Sequence, residues 1–135
     1  MNITCVWGVL ITTLSNKTAL IVEDDKDSAR LYTRIMEPLD YEFNTAANKD
    51  EAISLLKDFV PDLVLLDMSL VKRQLDKSGK EILHIIRADP RLSDTKVIII
   101  SAYSKLVDEL QDKADGIIIK PINAKKLIAL IESIA

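Results

Sequence analysis

Apolar runs too short for helices alternate with helically spaced apolar residues along most of this chain. Thr18 to Val22 reads as a strand and ends in Glu23-Asp24-Asp25. Asp27 or Ser28 can then cap a helix running to about Leu39, with Leu31, Ile35 and Leu39 on one face and Pro38 marking its end. Tyr41 to Ala46 is a shorter-patterned, more polar strand and belongs nearer a sheet edge. Asn48 caps the next helix, whose apolar face carries Ala52, Ile53, Leu55, Leu56 and Phe59. Pro61 and Asp62 introduce Leu63-Val64-Leu65-Leu66, a run that predicts a strand buried on both faces and ending in Asp67. A polar segment from Ser69 to Gly79 precedes a helix over Lys80 to Ala88, which Asp89-Pro90 stops. Val97 to Ile100 is a buried strand ending at Ser101, followed by a short helix over roughly Lys105 to Asp112. Asp115-Gly116 makes a turn into Ile117-Ile118-Ile119, which ends at Lys120. Pro121 and Asn123 open a last helix with Leu127, Leu130, Ile131 and Ile134 inside.

Strand and helix alternate five times, which implies right-handed crossovers and a parallel sheet covered by helices on both faces. The chain has 135 residues, enough for one domain with a proper core, assigned here to residues 17–135. Residues 1–16 stand outside the pattern. Ile3, Val6, Trp7, Leu10, Ile11 and Leu14 fall near helical spacing, while Val9 to Thr13 is β-branched enough for a strand. This N-terminal stretch reads either as an extension foreign to the fold or as a docking or dimerising segment.

The net charge of −3 gives no reason to expect nucleic acid or an anionic membrane as a partner. A single cysteine, Cys5, excludes an internal disulfide, and one histidine, His84, makes a zinc site or Cys–His catalysis improbable. No apolar run is long enough to span a bilayer, and the first residues lack a basic region and a small-residue cleavage site, so the cytoplasm is the expected location. None of the three glycines lies in the turn after the first strand, which excludes a phosphate-cradling loop and a dinucleotide fingerprint.

In a parallel sheet the strand ends gather at one edge, where open α/β sheets place their ligand sites. Glu23-Asp24-Asp25, Asp67, Ser101 and Lys120 would converge there. Asp24, Asp25 and Asp67 repel one another in a partly dry site, and a hard cation such as Mg²⁺ relieves that repulsion. The alternative is that Asp24 and Asp25 form only a solvated helix N-terminus. Lys120, after an Ile-Ile-Ile strand, either faces a carboxylate or phosphate or snorkels to solvent. Ser101 alone is a weak signal, because a serine after a strand is often just a helix cap.

In this order the residues resemble the receiver domain of two-component response regulators, over about Lys17 to Ala135. The landmarks are Asp24-Asp25, Asp67, Ser101, Lys120 and Pro121. The resemblance implies a flavodoxin-like sheet with strand order 2-1-3-4-5. It implies that Asp67 is the phospho-acceptor, taking a phosphoryl group from a histidine kinase or a histidine phosphotransfer protein. Asp24, Asp25, Asp67 and the backbone carbonyl of Ser69 would be the Mg²⁺ ligands. Lys120 would hold a phosphoryl oxygen, Ser101 would turn inward to it, and the Lys120-Pro121 bond would be cis. The implied module is no enzyme beyond its own phosphotransfer and slow dephosphorylation. It would change the surface around its fourth helix and fifth strand for a downstream protein target. Homodimerisation is compatible with the family.

Three departures stand out: a longer segment between Asp67 and Gly79 with Val71 in place of the common proline, Ile117 where the family carries Tyr or Phe, and the N-terminal extension without an output domain. Tyr103 is the aromatic left beside Ser101 to carry the signal, or to shield the acyl phosphate. Two other classes compete. A phosphatase with an aspartate nucleophile needs a second Asp two positions on, where this chain has Ser69. An interaction module that is never phosphorylated would keep the fold alone.

Overall fold

A computed structural model describes residues 2–6, 9–13, 17–68 and 78–135. The first two segments form an antiparallel pair, β1 (Asn2–Val6) and β2 (Val9–Thr13), with Asn2 opposite Thr13 and Val6 opposite Val9. The strand reading of Val9 to Thr13 therefore holds, and among the described residues of this stretch the helical spacing yields no helix. Thr4, Val6, Val9, Ile11, Thr12 and Thr13 are β-branched, which favours the extended chain over the helix.

The other five strands form one parallel sheet. They are β3 (Lys17–Val22), β4 (Tyr41–Ala46), β5 (Leu63–Asp67), β6 (Lys96–Ser101) and β7 (Gly116–Ile119). Their spatial order is β4-β3-β5-β6-β7, so the first strand of the sheet lies beside the second and third, as expected. The helices are α1 (Lys26–Met36), α2 (Lys49–Asp58), α3 (Ser78–Ala88), α4 (Lys105–Leu110) and α5 (Ala124–Ile134). No helix among the described residues is long and apolar enough to cross a membrane.

Alternation along each strand divides the core in two. Leu20, Val22, Val64, Leu66, Val97 and Ile99 face Ala52 and Leu56 of α2 and Ile82, Leu83 and Ile86 of α3. Ala19, Ile21, Leu63, Leu65, Ile98 and Ile100 face Tyr32, Ile35 and Met36 of α1 and Leu127 and Ile131 of α5. β5 is buried along its whole length, including Asp67.

Two local expectations change. α1 is capped by Asp25, not by Asp27 or Ser28, and its buried stripe is Tyr32, Ile35 and Met36. Leu31 is 47% exposed, because a helix that starts at Lys26 turns position 31 outward. The α-helix stops at Met36 and tightens into a 3₁₀ turn over Glu37–Leu39. Pro38 supplies no N–H and its ring opposes the carbonyl four residues back, so the α-helical ladder cannot continue through it.

At the amino-terminal end of the sheet Arg87, in the last turn of α3, ties three segments together. It donates to Lys113 O at 2.7 Å, to Thr95 O at 3.0 Å and to Asp115 Oδ2 at 2.8 Å. The same Asp115 oxygen accepts from Val97 N at 2.7 Å, at the start of β6. Arg87→Met keeps most of the aliphatic stem and removes all three bonds. It is expected to lower stability by about 2 kcal/mol in urea denaturation. An unchanged midpoint would make the anchor dispensable.

Candidate functional site

β5 is paired on both sides, with Val22 of β3 opposite Leu66 and Ile100 of β6 opposite Asp67. Asp67 is the last residue of the strand and is fully buried. The register carries on past the strand ends: Glu23 follows Val22 as Asp67 follows Leu66, and Lys120 N donates to Ser101 O at 2.8 Å. Glu23, Asp67, Ser101 and Lys120 therefore come together at the carboxyl edge, where the topology switches direction between β3 and β5.

Lys120 Nζ lies 2.7 Å from Asp67 Oδ2. The Lys120-Pro121 peptide bond is cis. The ammonium side chain is about one-third exposed at 29%, while Asp67 has no exposure, so one end of this ion pair is dry and the other reaches water. The Tyr32 hydroxyl donates to the same Oδ2 at 3.5 Å from the α1 side. Burial, and then the charges of Asp67 and Glu23, push the Tyr32 phenol above its usual range, so it remains a proton donor.

Glu23 is the second buried carboxyl. Its Oε1 accepts from Asp25 N at 3.1 Å, whereas its buried Oε2 has no donor among the described residues. Burial foremost, and next the adjoining Asp67, push the Glu23 carboxyl up to about 9. Two ionised carboxylates have no proton to share, and protonated Glu23 can donate to Asp67. A dry pair of carboxyls with one oxygen lacking a donor fits a hard cation, which would replace that proton.

The acidic pair differs from the one expected. Asp25 Oδ2 accepts from Ser28 N at 3.1 Å and from Ser28 Oγ at 2.7 Å, which commits that oxygen to capping α1. Asp24 is exposed. The carboxyl brought against Asp67 is Glu23, and the signal for it lay in the pattern: Glu23 closes the apolar run of β3 as Asp67 closes that of β5. Sequence reasoning also missed Tyr32; the signal available was only for its burial, since Tyr32, Ile35, Met36 and Leu39 fall at i, i+3, i+4 and i+7. Among the described residues no group of three or more His, Cys, Asp or Glu is clustered to hold a metal. Ser69, with Val71 and most of the long segment before Gly79, lies outside the described residues.

Ser101 is buried, and its Oγ accepts from Tyr103 N at 3.0 Å and donates to Tyr103 O at 3.4 Å. The Tyr103 side chain is 53% exposed. A hydroxyl at the strand end is thus joined to the backbone that leads into α4.

Residues 19–132 match the model of the response regulator receiver domain. The chain is 31% identical over 120 residues to the polar-differentiation response regulator DivK of Brucella anthropi, covering 87% of this chain and 94% of DivK. It is 31% identical over 110 residues to the regulatory protein LuxO of Vibrio vulnificus, covering 79% of this chain and 23% of LuxO. Among solved structures, the response regulator TrrA of Thermotoga maritima, in complex with Mg²⁺-BeF, shares 28% identity at a TM-score of 0.75, covering 88% of this chain and 99% of TrrA. A CheY-like receiver domain from Methylobacillus flagellatus reaches 0.78 at 26% identity, covering 90% of this chain and all of that one. With Asp67 and Lys120 paired at the carboxyl edge of a 2-1-3-4-5 sheet, and a family match over nearly the whole of that sheet, the chain belongs to the response regulator receiver domain family.

Proposed function

We propose that Asp67 is the phospho-acceptor through which this receiver domain takes a signal from the phosphohistidine of a histidine kinase or a histidine phosphotransfer protein. The observation that carries this reading is the fully buried carboxylate at the end of β5 with the Lys120 ammonium 2.7 Å from it. An oxygen of Asp67 attacks phosphorus, the P–N bond breaks, and its electron pair returns to the imidazole. Lys120 steadies the negative charge of the phosphoryl group in transit.

Glu23, Asp24 and Asp67, with the backbone carbonyl of Ser69, would hold Mg²⁺; Asp25 leaves that set because it caps α1. Bound there, the metal would neutralise charge on the transferring phosphoryl group. The Mg²⁺-BeF complex of TrrA supports this reading. Ser101, turning toward a phosphoryl group, would give up its bond to Tyr103 O and so alter the surface around α4 and β7 for a downstream protein target. The module works in the cytoplasm and has no catalytic turnover beyond its own phosphotransfer and hydrolysis.

Incubation with Mg²⁺ and a small acyl-phosphate donor is expected to add the mass of one phosphoryl group, labile to hydroxylamine. Borohydride reduction should map it to residue 67. No added mass, a hydroxylamine-stable adduct or a map to another residue would overturn the assignment.

A further inference from the structure

We propose that Tyr32 is a second donor on the acceptor carboxylate and shortens the lifetime of the phosphorylated state. The inference rests on the reading of Asp67 as phospho-acceptor. Tyr32 is 2% exposed and is set in the α1 side of the core with Ile35, Met36, Leu65 and Ile100. Its hydroxyl lies 3.5 Å from Asp67 Oδ2, the oxygen that Lys120 also holds at 2.7 Å. We place the phosphoryl group on Oδ1, so that Oδ2, which carries these two donors, becomes the acyl carbonyl.

The two donors differ in what happens next. Lys120 is a long, partly exposed side chain that a phosphoryl oxygen can draw away. Tyr32 is fixed in the core, and stays on Oδ2. A carboxylate oxygen accepts a hydrogen bond more strongly than an acyl carbonyl does. The phenol therefore favours the unphosphorylated carboxylate. It favours equally any transition state in which charge returns to that carboxylate. In hydrolysis a water oxygen attacks phosphorus, the bond from phosphorus to Oδ1 breaks, and its electron pair goes to Asp67. The water proton leaves with phosphate, and Tyr32 keeps its own proton. The same preference works against uptake.

Tyr32→Phe removes the hydroxyl and keeps the ring. Wild type and variant are phosphorylated with a small acyl phosphate and Mg²⁺, freed of donor, and followed by intact mass. The variant is expected to hold its phosphoryl group about three- to tenfold longer, with uptake no slower than wild type. Infrared difference spectra on phosphorylation should place the acyl carbonyl stretch higher in the variant, because the carbonyl has lost a donor. Tyr32→Met, which also lacks the hydroxyl, should lengthen the lifetime in the same direction. A lifetime equal to or shorter than wild type overturns the proposal, as does lowered stability without a longer lifetime, or a variant that takes up no phosphoryl group when wild type does. A wild type that takes up none counts against the phospho-acceptor reading instead.

Discussion

Lys120→Ala is expected to slow phosphoryl uptake at Asp67 by about a hundredfold or more, and to destabilise the fold at the same time. A charged donor aimed at developing charge in a partly dry site contributes roughly 10²–10³ in rate. The stability effect comes from the other end of the ion pair. Asp67 is fully buried, and the substitution takes away the ammonium 2.7 Å from it. Breaking a wholly buried pair costs about 3–5 kcal/mol. Lys120 is partly exposed, so water screens the interaction and about 1–3 kcal/mol is the fitting range. Lys120→Arg keeps the charge without the compact ammonium, and should recover stability better than uptake. Urea denaturation and the intact-mass time course read the two effects separately. An alanine variant matching wild type in both would remove Lys120 from the site.

Glu23→Gln should make the metal-free protein more stable at pH 8, by about 1–3 kcal/mol, and should flatten its dependence on pH. The Glu23 carboxyl is raised from its ordinary 4.5 to about 9, by burial and then by the neighbouring Asp67. Between those two values the folded protein holds a proton that the unfolded chain has released. The contribution of this proton to stability is therefore fully present below pH 4.5, declines as pH rises, and is lost through pH 9. Glutamine is neutral throughout and its amide can donate to Asp67 permanently. The two proteins should converge near pH 5 and part above it. Mg²⁺ acts in the same direction as protonation, so it should stabilise wild type at pH 8 more than the glutamine variant. Thermal unfolding in chelator at pH 5 and 8, repeated with Mg²⁺, measures all of this. Parallel pH profiles for the two proteins would mean that Glu23 does not share a proton with Asp67.

The pattern of the sequence reached the parallel α/β sheet and most of the strand ends because both depend on strong, simple signals, whereas the strand order came from the resemblance to receiver domains. Three or four apolar residues followed by one charge are hard to place anywhere but a buried strand end, and Asp67 and Lys120 were found that way. Glu23 was named at a strand end but passed over as a ligand, because Asp24 and Asp25 form the more conspicuous pair. Which of three consecutive acids turns inward depends on where α1 begins, and that in turn depends on Asp25 serving as its cap. Tyr32 was missed because a tyrosine at a helical position reads as an interfacial side chain. Its partner lies 35 positions away, at the end of β5, and only the packed structure pairs them. The first strands were ambiguous because spacing near three and four can occur by accident in a run of β-branched residues.

Arg87 works at the opposite end of the sheet from Asp67, the length of a strand away, roughly 17 Å. Damage there lowers the fraction of molecules that are folded and leaves the chemistry of each folded molecule intact. Loss of Lys120 leaves folded molecules that do not react. In a cell the two lesions would separate by gene dosage: extra copies should restore signalling to an Arg87 variant and leave a Lys120 variant silent.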